Sequence, residues 1–183
     1  MTVGDELALV RIILAGPAAA RRCQRPDAEG WRRHRSVHER ICFHESGHAI
    51  VAAMEGWFPQ WAIAKAPMVA GDGITCAGRM CLGQTPTEGA GTTPTVEGND
   101  AIPSDLTKAM WFGWKMTGGG AGWLRYMRGL WLETDAILEA SWPAVKVLAM
   151  ALQQDGVVKG PDIADILRRF GRKGDAWSLS VKI

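Results

Sequence analysis

Histidine is scarce in this chain of 183 residues: there are four, and none follows His48. Tyrosine occurs once, against nine tryptophans. No run of about 18 apolar residues occurs, so no membrane-spanning helix is expected. The longest early candidate, Leu7 to Ala20, is broken by Arg11. Asp5 and Glu6 stand where a secretion signal would carry positive charge, which points to a cytoplasmic protein. Neither sign of charge prevails. Lysine and arginine number 21 against 19 acidic residues, net +2, which gives no large field to steer nucleic acid or a membrane surface. Cys23, Cys42, Cys76 and Cys81 are scattered, contain no Cys-x-x-Cys, and read as reduced thiols. What is present is ordinary globular material: 47% apolar and 22% charged residues exclude wholesale disorder, and the length suits one domain or a compact pair of subdomains.

Apolar positions at Leu7, Val10, Ile13, Leu14 and Ala18 have helical spacing over residues 5–22, with Gly16-Pro17 as a break or kink. Residues 21–40 are rich in arginine and read as a solvated linker and helix start; only Trp31 interleaves the arginines, thin support for base stacking. Residues 1–36 are thus set apart as an N-terminal helix and basic linker able to pack against the remainder, 37–183. Ser36 and Glu39 have capping-box spacing, and the helix they start should be amphipathic and run to about Glu55, stopping near Gly56. Trp61 to Ala66 and Ile74 to Met80 have strand character and flank the turn-like Gly71-Asp72-Gly73. Residues 83–103 read as a long loop. Ser104 suits the N-cap of a helix from Asp105 to about Met116, ended by Gly118-Gly119-Gly120. Further helices are expected from Trp123 to Leu138, from Pro143 to near Gly156, and from Pro161 to Arg169. The fold class is mainly α with a small β-sheet.

Two of the four histidines carry the chemistry. Residues 43–52 read FHESGHAIVA, with the core His44-Glu45-Ser46-Gly47-His48. On a helix, His44 and His48 share one face a turn apart, so both imidazoles can bind one metal ion. Glu45, about 100° around the helix, can reach a water activated by the metal, take its proton and pass it to a leaving amine. The small Ser46 and Gly47 leave room for a metal and a crossing strand. His34 and His38 repeat the spacing but lack a following Glu in the needed place and sit among arginines, so they are expected to be exposed or at the helix entry. A catalytic zinc site needs a third protein ligand. With no later histidine, that ligand should be acidic. Beyond Glu55 at the helix end, Asp72, Glu88, Glu97, Asp100, Asp105 and Asp135 are the candidates. Asp105 is favoured because a helix first turn holds a carboxylate firmly.

Three blocks resemble the zinc peptidase domain of FtsH-type AAA proteases. FHESGHAIVA is similar to that family's zinc helix. Ser104-Asp105-Leu106-Thr107-Lys108-Ala109 is similar to the helix start whose Asp is the third zinc ligand. Residues 137–167, with Trp142-Pro143-Ala144-Val145 and Gly160-Pro161-Asp162-Ile163-Ala164, resemble the C-terminal helices. The likeness covers about residues 37–170. It implies a zincin-like fold with a C-terminal helical part, one catalytic Zn2+ on His44, His48 and Asp105, and Glu45 as general base. It also implies a strand that pairs with extended substrate, here Ile74, Thr75, Cys76, Ala77 and Gly78 onward. The family's intervening helix, with a Leu-(Gly or Ala)-Gly-x-Ala-Ala pattern, has no place between zinc helix and third ligand here. Leu14-Ala15-Gly16-Pro17-Ala18-Ala19-Ala20 looks much like it, so the N-terminal helix is expected to fill that position in a rearranged chain order.

The expected function is therefore a zinc-dependent metalloendopeptidase acting on polypeptides. No Walker-type loop occurs in these residues, so folded substrates should need a separate ATPase partner, and a homo-oligomer is a further expected partner. The alternative is a catalytically weak zinc-binding regulatory protein of the same fold. The tryptophans, among them Trp57, Trp61, Trp111, Trp114, Trp123 and Trp131, suit core packing for the most part, with a partner surface or substrate groove as the other reading.

Overall fold

The computed structural model describes residues 3–25, 36–64, 68–70, 73–75, 78–82 and 105–171. These form six helices and five short strands, so the chain is mainly α with a small antiparallel β component. The helices are α1 (Val3–Arg22), α2 (Val37–Met54), α3 (Asp105–Met116), α4 (Trp123–Ala140), α5 (Trp142–Asp155) and α6 (Gly160–Phe170). Among the described residues, no helix is long and apolar enough to cross a membrane.

Local chemistry sets the ends of α2. The Ser36 hydroxyl accepts from the Glu39 N–H at 3.1 Å, and the Glu39 carboxylate accepts from the Ser36 N–H at 2.8 Å. Both satisfy donors that a helix start leaves orphaned. Past the C-cap Glu55, Gly56 turns the chain at φ 81°, a conformation costly for residues with a Cβ. Between these ends α2 is not the amphipathic helix expected. From Cys42 to Ala53 every residue except His44 is buried, because α1, α4, α5 and β1 (Pro59–Ala64) surround it. Its small residues permit that crowding. A Cβ on Gly47 would lie 2.5 Å from the Ala15 carbonyl oxygen and 2.7 Å from the Ala19 Cβ, so Gly47 makes room for a crossing helix, not a strand.

That crossing helix is α1. Pro17 lies within it and does not end it. Asp5 and Glu6 in its first turn and Arg21 and Arg22 in its last complement the helix dipole. Ile12, Ala15, Ala18 and Ala19 enter the main core with Ile50, Leu138, Leu148 and Leu152. Val10 and Leu14, on another face, form a second core with Ala109 of α3 and Met127 and Leu130 of α4. Residues 3–22 thus pack between the zone of α2 and that of α3 and α4. Of the tryptophans, Trp57, Trp131 and Trp142 lie partly buried on the main core and Trp123 on the second, whereas Trp111 and Trp114 are exposed on α3.

The main sheet has the order β4-β1-β5, with β4 (Gly78–Leu82) and β5 (Val157–Lys159) both antiparallel to β1. Strand β5 was not expected. Three residues are too few to show a period, and the strand follows Gly156, whose φ of 70° ends α5. A second ladder pairs β2 (Met68–Ala70) with β3 (Gly73–Thr75). Of the single strand expected from Ile74 to Met80, residues 74–75 fall in β3 and residues 78–80 in β4. Residues 65–67 and 76–77, between the two ladders, lie outside the described residues. Cys76 and Ala77, Ser104, and the expected loop 83–103 lie outside the described residues.

Candidate metal centre

Helix α2 presents His44 and His48 on one face, and α3 brings Asp105, its first residue, against them. The Oδ2 of Asp105 lies 2.9 Å from His44 Nε2 and 3.0 Å from His48 Nε2, and the two Nε2 atoms are 3.0 Å apart. The three ligand atoms lie within 4.8 Å of one another and could hold a metal ion. The imidazole planes meet edge to face at 84°, and both Nε2 atoms lie against Asp105 Oδ2.

The surroundings prepare each donor. His48 Nδ1 is 2.7 Å from the Ile12 carbonyl oxygen, an atom that can only accept, so Nδ1 carries the hydrogen and directs Nε2 towards the cluster. Lys108 Nζ donates to the other Asp105 oxygen, Oδ1, at 3.2 Å, which leaves Oδ2 for the histidines. Gly16 of α1 forms the wall: a Cβ there would lie 2.3 Å from His48 Nε2 and 2.8 Å from His44 Nε2.

Electrostatics follow from this crowding. Burial opposes ionisation of Asp105, but hydrogen bonds from His44, His48 and Lys108 outweigh it and hold the carboxyl well below its ordinary range. Burial likewise opposes charge on His48, yet its hydrogen bond to Asp105 and the nearby Glu45 raise its pKa. Glu45 is 5% exposed, and that burial lifts its pKa, partly offset by His48 and His44. Its carboxylate lines the same cleft as His44 and Asp105, an opening of about 370 Å³ also bounded by Ala20, Val37, Arg40 and Ile41.

Searches of protein-family models, curated proteins and solved structures return no match.

The other candidates for third ligand fall elsewhere. Glu55 forks onto Arg11, and Asp135 pairs with Arg22 and Arg25, each at 3.5 Å. Asp72, Glu88, Glu97 and Asp100 lie outside the described residues. His38 is at the helix entry, half-buried, with Nε2 3.5 Å from the Ala64 carbonyl oxygen, and His34 lies outside the described residues. Of the expected substrate strand, Ile74 and Thr75 are in β3, paired with β2, while Gly78 begins β4, which runs beside α2 at one edge of the described main sheet. The Ile12 carbonyl was not foreseen, since a main-chain acceptor leaves no trace in side-chain pattern. Gly16 did leave one, a glycine amid small residues in a helix. Of the cleft residues, Ile41 was legible as helix spacing and Arg40 only as one of the arginines of residues 21–40, and Val37 was not singled out.

Proposed function

We propose that the chain is a zinc-dependent metalloendopeptidase. One observation carries this reading: His44, His48 and Asp105 converge from two helices separated in sequence, and buried Glu45 faces the same cleft. Two imidazoles and one carboxylate suit zinc, and three protein ligands leave a position free for chemistry. His44 Nε2, His48 Nε2 and Asp105 Oδ2, 2.9–3.0 Å from one another, are the atoms that would hold such an ion. The likeness of the zinc helix, the Asp105 block and the C-terminal helices to the FtsH-type peptidase domain supports the reading, and so does the packing of Leu14–Ala20 beside both α2 and α3.

When bound, zinc supplies a Lewis acid that polarises a peptide carbonyl and activates water. The chain's own groups do the rest. Glu45 accepts the proton of the attacking water and delivers it to the leaving amine, and its burial lifts its pKa towards the range such a shuttle needs. Lys108 and the Ile12 carbonyl hold Asp105 and His48 in orientation. The edge that β4 presents among the described residues would offer main-chain donors and acceptors to an extended polypeptide, the mode that gives broad sequence tolerance.

The test compares zinc content and cleavage of casein and peptides by wild type and Glu45→Gln. Retained zinc with cleavage reduced roughly 10²- to 10⁴-fold is expected. Equal activity in both overturns the mechanism, and zinc-loaded wild type that cleaves nothing leaves the regulatory reading. Asp105→Ala should lower zinc occupancy.

A further inference from the structure

The cleft does not end at the metal donors. It continues one turn towards the start of α2, where Arg40 stands four residues before His44 on the same helix face, with Val37 and Ile41 beside it and Ala20 of α1 opposite. Three of these four residues are apolar, and Ala20 is short enough to leave depth. Val37 is 44% exposed at the mouth. Among the described residues Arg40 has no carboxylate partner, as is also true of the exposed Arg21, Arg125 and Arg128, but of these arginines Arg40 is the one that lines the cleft. An unpaired guanidinium lining a cleft beside apolar side chains matches a ligand with an aliphatic stem and a terminal carboxylate.

We infer that Arg40 is a specificity-determining residue that selects substrates with a glutamate side chain next to the scissile bond. The inference rests on the peptidase reading of the same cleft. Four residues of helix separate Arg40 from His44, about 6 Å along the axis, close to the reach of one glutamate side chain from the reacting carbonyl. The methylenes lie against Val37, Ile41 and Ala20, and the carboxylate meets the Arg40 fork. Glu45 does not repel that carboxylate strongly. It is five residues from Arg40, about 7.5 Å further along the helix and about 140° around it. The start of α2 adds to the attraction, since a helix N-terminus favours negative charge. Glutamine fits the same space but forgoes the charged pair, so the glutamate–glutamine comparison isolates Arg40.

Two arms test this. In the first, the zinc-loaded Glu45→Gln protein is titrated with labelled peptides that differ only in one central Glu or Gln. The Glu peptide should bind roughly five- to tenfold tighter, as expected for a charge-assisted hydrogen bond near the surface. Adding Arg40→Gln should equalise the two, and adding Arg40→Glu should turn preference to a Lys peptide. In the second, zinc-loaded wild type digests a peptide mixture and the products are sequenced, with glutamate expected beside the cut. Equal binding of the Glu and Gln peptides, or a preference that survives Arg40→Gln, overturns the inference even if the protein is an active peptidase. Absence of any cleavage with the binding preference intact overturns the peptidase reading and leaves the Arg40 subsite standing. Arg40 is exposed, so matched thermal melts of the variants separate loss of selectivity from loss of fold.

Discussion

The Nδ1 nitrogen of His48 lies 2.7 Å from the carbonyl oxygen of Ile12, 36 residues earlier in the chain. A carbonyl accepts and cannot donate, so this contact sets which imidazole nitrogen faces Asp105. Helix α1 therefore does more than fill the core. Through Ile12 it orients a ligand, and through Gly16, one turn on, it leaves the space the donors enclose.

Gly16→Ala should accordingly block the centre without unfolding the protein. Its methyl would lie 2.3 Å from His48 Nε2 and 2.8 Å from His44 Nε2, closer than carbon approaches nitrogen without displacement. The imidazoles must turn aside, and misoriented ligands typically cost 10- to 100-fold in metal affinity. Competition with a chromogenic chelator measures this. Gly122→Ala, where a Cβ meets nothing within 4 Å, is the matched control and should bind zinc as wild type does. Wild-type affinity in Gly16→Ala would show that α1 does not wall the site.

Arg11, the residue that interrupts the early apolar run, locks α1 to the end of α2. Its Nε and one Nη lie 2.5 and 2.9 Å from the two Glu55 carboxylate oxygens, a bidentate pair with both side chains about four-fifths buried. Glu133 of α4, 3.5 Å away, is a weaker second partner. Glu55→Gln should cost about 1–3 kcal/mol in urea unfolding, because it strands part of a desolvated guanidinium. Arg11→Met combined with Glu55→Gln should cost less than the sum of the two single changes. Strict additivity would mean that the pair contributes no coupling.

Helix ends and the donor pair were legible in sequence because their chemistry is local. Ser36 with Glu39, Pro143, Gly156 and the His44–His48 spacing each act within one or two turns. The all-round burial of α2 was not legible, since its alanines and glycine fit an exposed face as well as a crowded one. The pairing of β3 with β2 and of β4 with β1 was hidden for another reason. Alternation in Ile74 to Met80 marks a strand but not its partner, and the partner changes between Thr75 and Gly78. Asp105 was favoured for its place in a helix first turn and for the resemblance of its block, whereas the Ile12 carbonyl and the cleft beside Arg40 exist only once α1 and α2 have packed.

Zinc binding should oppose the pH dependence of stability that the metal-free protein shows. In the metal-free protein Asp105 titrates below its ordinary 3.8, so its contribution is present above that pH and lost as acid is added. His48 titrates above its ordinary 6.5, so its contribution is complete below 6.5 and lost as pH rises through the raised value. Glu45, raised from 4.5, acts in the same sense as His48, losing its contribution as pH rises. The metal-free protein should therefore melt at a higher temperature near pH 5.5 than near pH 8. Zinc needs the same imidazoles unprotonated, so its stabilisation grows with pH and the zinc-induced rise in Tm should be larger at pH 8. Thermal melts at both pH values, with chelator and with zinc, read both trends. Asp105→Asn should flatten the metal-free dependence by removing the charge that holds the His48 proton. A metal-free Tm that rises steadily from pH 5.5 to 8 would show that the His48–Asp105 pair does not control stability in this range.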